Sequence, residues 1–171
     1  MRTHRPFCVH SHVFGTFLPR LVRHVRSCPV GFPIESATLR PIGKPGDCKL
    51  WFEINATKDG ATLNDDTQHY PADPNGELGI DIADFAEESL VGLELFHAGT
   101  QNDDEDSCDS IFYYYEHQPL RKNSVQILDR NGDAFTVRWS GVTQDVNHYD
   151  GTKPEAGVEI DATFTLVRRP T

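Results

Sequence analysis

From Gly157 to Arg169 apolar residues fall on every second position: Val158, Ile160, Ala162, Phe164 and Leu166, with Glu159, Asp161, Thr163 and Thr165 between them. A strand turns successive side chains to opposite faces, so this alternation predicts a half-buried β-strand with one solvated face. Leu50, Phe52, Ile54 and Ala56 repeat the pattern against Trp51, Glu53, Asn55 and Thr57, and the run stops at the turn residues Lys58-Asp59-Gly60. Val125 to Asp129 and Ala134 to Ser140 flank Asn131-Gly132, a pair suited to a type I′ turn, and predict a β-hairpin. Ile111 to Glu116 adds an aromatic strand, and Ser36 to Ile42 and Glu77 to Ile82 two shorter ones.

The stretch from Ala83 to His97 fits two periods. Gly92 weakens a continuous helix by about 1 kcal/mol, which favours a short helical turn over Ala83–Glu88 followed by a strand over Leu90–His97. About eight short strands with at most one short helix predict an all-β fold, an antiparallel β-sandwich of Ig-like or jelly-roll-like shape. The spacing of an immunoglobulin core is missing, because Trp51 follows Cys48 by only three residues and no tyrosine stands two residues before Cys108; the strand topology therefore stays open.

The first 33 residues break the pattern. Val13, Phe14, Phe17, Leu18, Leu21, Val22 and Val25 recur at helical spacing among arginines, although Pro19 interrupts that helix. This segment carries Arg2, Arg5, Arg20, Arg23 and Arg26 and no acid, so it is expected to be a separate basic segment, flexible or helical, dispensable for the folding of a single domain over 34–171. Three readings of it stay open: an organelle transit peptide, a segment that lies on an anionic membrane, and a stretch foreign to the native protein, whose true start would then lie near Val30. A secretory signal is not seen, which points to the cytoplasm.

Charge narrows the partners. Of 16 basic residues those five lie in the first 33, which leaves 11 against all 26 acids in the remainder and a net charge of −15 there, within −10 overall. Such a domain repels polyanions, so nucleic acid is an unexpected partner. No apolar stretch approaches a transmembrane helix, and the mean hydropathy of −0.49 is that of a soluble chain. Cysteines at 8, 28, 48 and 108 show no metal or redox spacing; Cys48 and Cys108 could pair in an oxidising compartment but read more simply as small hydrophobes.

Candidate chemistry is sparse. Asp103, Asp104, Asp106 and Asp109 crowd one acidic loop and would relieve their repulsion by holding a cation such as Ca²⁺, but the loop lacks the ligand spacing and the glycine of an EF-hand; a solvated loop with at most weak calcium binding is expected, and no other cofactor. Asp129 to Asp133 resembles a calcium loop only superficially, since its residues already serve the hairpin. His69, His97, His117 and His148 follow no ligand motif, although His97 and His117 could meet across a sheet with Glu94 or Glu116. Nucleophile and phosphate-binding motifs are missing, so a hydrolase would have to rest on those histidines or on a carboxylate pair such as Glu53 and Glu94.

Aromatic residues give the strongest functional signal. Phe112, Tyr113, Tyr114 and Tyr115 cannot all be buried on a strand whose faces alternate, and Trp51 is out of phase with Leu50 and Phe52. Trp51, Tyr113 and Tyr115 are therefore expected on an outward aromatic and acidic surface that binds a protein or a carbohydrate without catalysis. A hydrolase is the alternative, and a loop over Ala61 to Asn75 covering the same face is the purely structural explanation.

Overall fold

The computed structural model describes residues 20–25, 28–57, 73–99, 101–102, 107–114, 116–144 and 154–168. Its strands are β1 (Arg20–Val25), β2 (Cys28–Lys44), β3 (Asp47–Ala56), β4 (Asn75–Ile82), β5 (Glu94–His97), β6 (Gln101–Asn102), β7 (Ser107–Cys108), β8 (Ser110–Tyr114), β9 (Glu116–Pro119), β10 (Arg121–Asn131), β11 (Ala134–Gln144) and β12 (Glu155–Leu166). The expected all-β class holds. Among the described residues the one helical element is a 3-10 turn over Glu87–Ser89, one turn later than the pattern suggested, and no helix is long and apolar enough to cross a membrane.

Two stacked sheets were expected; among the described residues one large sheet is found. Its ten strands run in the order β5-β10-β11-β12-β1-β2-β3-β4-β8-β9, while β6 and β7 form a separate hairpin. The connection from β9 to β10 dictates the shape. Only Leu120 separates these strands in the chain, yet a flat sheet would hold them eight spacings, or roughly 38 Å, apart. One residue spans at most about 3.6 Å, so the sheet has to curl until the end of β9 comes beside the start of β10. The result is a half-barrel. Leu120 N–H donates to Ser110 O (3.1 Å), prolonging the β8–β9 ladder, and Lys122 N–H to Ala98 O (3.0 Å), prolonging the β5–β10 ladder, so the chain steps from one side of the sheet to the other at Leu120. A short parallel contact of Thr165 and Leu166 with Thr38 and Leu39 makes the otherwise antiparallel sheet mixed.

The alternation read from the sequence sets the core. Val158, Ile160, Ala162, Phe164 and Leu166 of β12 face inward, as do Leu50, Phe52, Ile54 and Ala56 of β3, and Phe164 meets Phe52 edge-on at 5.7 Å between ring centres. The hairpin between β10 and β11 is present with a different turn. Asn131 pairs with Ala134, so the two-residue loop is Gly132-Asp133, and φ is positive only at Gly132 (62°). That is the pattern of a type II′ turn, in which glycine takes the first central position.

The boundary expected at Ile34 does not coincide with the edge of the sheet. Arg20–Val25, placed by the sequence in a basic amphipathic helix, is a strand between β12 and the first part of β2. Leu21 and Phe32 lie fully in the core, the latter 5.4 Å from the Tyr114 ring. Helical spacing and strand alternation overlap over so short a run, and a waiting partner edge on β12 decides between them. Residues 1–19 lie outside the described residues.

Thr143 on β11 is 1 % exposed, and its hydroxyl finds no partner among the described residues. A buried hydroxyl without a hydrogen bond costs stability, and valine has the same shape without it. Thr143→Val is expected to stabilise the fold by about 1 kcal/mol, read as a higher denaturant midpoint at unchanged slope; a lower midpoint would show that the hydroxyl is bonded.

Candidate binding face

On β3 the inward residues leave Lys49, Trp51, Glu53 and Asn55 on the outer face of the half-barrel. Antiparallel register sets Trp51 opposite Arg40 of β2 and Gly79 of β4. Gly79 is what lets the indole lie down. A β-carbon at that position would stand 2.9 Å from Cε3 and Cζ3 of Trp51 and 2.8 Å from Cδ of Lys49, so any side chain would push both residues off the sheet. Trp51 is left half-buried, covering bare backbone on one side and meeting solvent on the other.

Charged pairs surround the indole. Arg40 Nη2 donates to Glu53 Oε2 at 2.6 Å, and Lys49 Nζ to Asp109 Oδ1 at 2.8 Å, with Asp81 3.8 Å away. The hydrogen bond to Asp109, followed by the fields of Asp109 and Asp81, holds the Lys49 ammonium above its ordinary pKa of 10.5 against a partial desolvation. Glu53 stands directly opposite Glu77, a repulsive cross-strand pair that Arg40 offsets. Further along the same face Asn55 lies opposite Asn75, and Asn75 opposite Tyr113 of β8. Tyr113 packs on His117 of β9 with ring centres 4.7 Å apart.

Of the aromatic residues nominated from sequence, Trp51 and Tyr113 thus share one face, while Phe112 and Tyr114 point into the core and Tyr115 lies outside the described residues. Register separates Trp51 from Tyr113 by two strands and four residues, roughly 16 Å between α-carbons. The structure adds Gly79, Arg40 and Lys49, which the sequence pattern left out. Cross-strand register makes Gly79 and Arg40 neighbours of Trp51, while Lys49 stands two residues before it on the same face of β3.

The other nominated groups do not converge. Asp103, Asp104 and Asp106 lie outside the described residues, in the connection between β6 and β7, and Asp109 is committed to Lys49. His97 Nδ1 accepts the Gly99 N–H at 3.0 Å beside β5, while His117 on β9 packs at a tilt against Tyr113. Glu94 accepts from Gln126 and Glu53 from Arg40, each on its own pair of strands. His69 and His148 are outside the described residues, among which no group of three or more His, Cys, Asp or Glu side chains is placed to hold a metal ion. Cys48 is a buried free thiol rather than a partner of Cys108. It lines an open cleft of about 290 Å³ with Pro41, Pro45, Phe85, Lys44, Asp84 and Arg168.

No known family model, characterised protein or solved structure matches this chain.

Arg168 in that cleft already has its partners. Its guanidinium grips Asp133 with two bonds of 2.7 Å and reaches Glu87 Oε1 at 2.9 Å, while Arg130 also binds Glu87 and lies 5.2 Å over the Phe135 ring. The network ties the 3-10 turn, the β10–β11 loop and the end of β12 together. Hydrogen bonding to Arg168 holds the Asp133 carboxyl below its ordinary pKa of 3.8. A depressed carboxylate contributes stability that is complete above its unfolded pKa and is lost as pH falls through the folded one. Acidification below about pH 4 should therefore destabilise the wild type more than Arg168→Gln. The difference is small, because the pair is exposed. Equal acid sensitivity in thermal unfolding of the two proteins would refute the pairing.

Proposed function

We propose that this protein is a non-catalytic binding module whose ligand, a protein or a carbohydrate, meets the outer face of β2, β3, β4 and β8 at Trp51. One observation carries the reading: a tryptophan points away from the core and is held against a glycine that no other residue could replace without displacing it. Core packing needs no outward indole, and Trp139, the second of the two tryptophans, already fills the interior. A rigid aromatic ring with one side in solvent offers large contact area at little entropic cost. The sequence expectation of an aromatic surface supports the same reading, as does the presence of Tyr113 on that face.

The test screens a glycan array and a peptide display library with the wild type and with Trp51→Ala. Ligands found with the wild type should bind the variant about tenfold more weakly, the weight of one aromatic contact, while its unfolding remains cooperative. Ligands indifferent to Trp51→Ala would place the binding surface elsewhere.

A further inference from the structure

We infer that the ligand of this face is an extended, uncharged carbohydrate that runs across the strands from Trp51 towards Tyr113; the inference rests on the binding-module reading. The surroundings of Trp51 separate the two ligand classes. Its neighbours on the outer face include Arg40 across the ladder and Lys49 and Glu53 along β3, with Asp81 and Asp109 bound to Lys49. The centre of a protein interface is depleted of charge, because a protein partner has to strip water from such groups and replaces it imperfectly. A protein hot spot sits in a fully desolvated pocket, whereas Trp51 is only half-buried.

A sugar ring suits this setting. Its C–H face packs on an aromatic plane, and its rim of hydroxyls both donates and accepts, so it can take the place of water around Arg40, Lys49 and the three carboxylates without leaving a charge unsolvated. Arg40 and Lys49 are themselves matched by Glu53, Asp81 and Asp109, so the face offers no excess positive charge to a uronate or a sulfated chain. The protein's net charge of −10 repels both.

Length follows from the second aromatic. The Tyr113 and His117 rings, tilted against each other, lie on the same face, and the roughly 16 Å from Trp51 exceeds the reach of one sugar ring. The ground between is polar, with Glu53, Glu77, Asn55 and Asn75 outward. A chain of several sugars can touch both platforms and hydrogen-bond along the way.

Affinity electrophoresis of the full chain decides this, with soluble mannan, xylan, mixed-linkage glucan and amylose as uncharged probes, polygalacturonate and dextran sulfate as anionic ones, and the peptide library in parallel. The expected result is retardation by at least one uncharged polymer, insensitive to salt, weakened about tenfold in Trp51→Leu. Leucine still covers Gly79, and the near-ultraviolet dichroism of Trp139 reports whether the fold is kept. Tyr113→Ala should weaken binding of the polymer but leave binding of its disaccharide fragment unchanged. Equal loss for both, or none for either, would overturn the extended pose. Retardation by anionic polymers alone would overturn the uncharged ligand. Trp51-dependent capture of peptides without any retardation would sink the carbohydrate and leave the binding module standing, and capture of neither class would sink both.

Discussion

A chain that begins at Ile34 is expected to lose cooperative unfolding altogether. The cut removes β1 and the part of β2 that pairs with it, and with them Leu21 and Phe32, both fully buried. Truncating a buried leucine costs about 2–5 kcal/mol and a phenylalanine about 3–5. Those two side chains alone approach the whole stability of a domain, about 5–15 kcal/mol. The backbone loss adds to this. Residues Gly157 to Asp161 of β12 surrender their partners on β1, and the edge so exposed belongs to one of the most deeply packed strands. A chain that begins at Arg20 keeps every one of these contacts and serves as the control. Urea unfolding followed by circular dichroism should show a sigmoidal transition for the control and none for the shorter chain. A shared midpoint would mean that β1 is not part of the native sheet, and the basic segment would then be separable, as its composition suggests.

The second large effect is expected at Asn123. Its side chain is 1 % exposed and every polar atom on it is engaged: Nδ2 donates to Leu120 O (2.7 Å), Ser110 Oγ (2.9 Å) and, more weakly, His97 O (3.4 Å), while Oδ1 accepts the Trp139 indole N–H at 3.0 Å. One amide thereby joins β5, β8, β10 and β11 where the rolled sheet meets itself. The chain makes room for it with an irregular register between Arg121 and Ser124 and a left-handed Lys122 (φ 54°). Asn123→Leu keeps the volume and takes from the buried indole N–H and the Leu120 carbonyl the amide that they bond. Each such group costs about 1–3 kcal/mol, so a total loss near 4 kcal/mol is expected. Adding Trp139→Phe to Asn123→Leu removes one stranded donor, and the double variant should lose less than the sum of the two single ones. A loss under about 1 kcal/mol for Asn123→Leu would show that the amide is not the fastening.

These expectations differ in how far the chain itself foretells them. Period two along β3, β10, β11 and β12 is a local property, since each Cβ points opposite to its neighbour's whatever strand lies alongside. Val158 to Leu166, Leu50 to Ala56 and the outward position of Trp51 and Tyr113 were therefore legible from the residues. So was the hairpin at Gly132, though its turn type depended on which pair of residues closed the ladder.

Pairing is a different kind of information. Arg20–Val25 carries a pattern that a helix and a strand can both claim, and it becomes a strand because β12, more than a hundred residues away in the chain, offers an edge to it. Asn123 reads as an ordinary polar residue between Lys122 and Ser124, and only the closure of the sheet surrounds it with partners from three other strands. Trp51 announces that it faces outward but not that Gly79 lies beneath it or that Arg40 stands beside it, because register, set by the whole ladder, brings them together. The sequence by itself determined the all-β class, the faces of the strands and an outward aromatic residue, for these follow from dihedral geometry repeated along one strand. Only the tertiary structure decided that one sheet rolls upon itself, that the basic beginning joins it, and which charges frame Trp51, because each of these depends on hydrogen bonds between strands far apart in the chain.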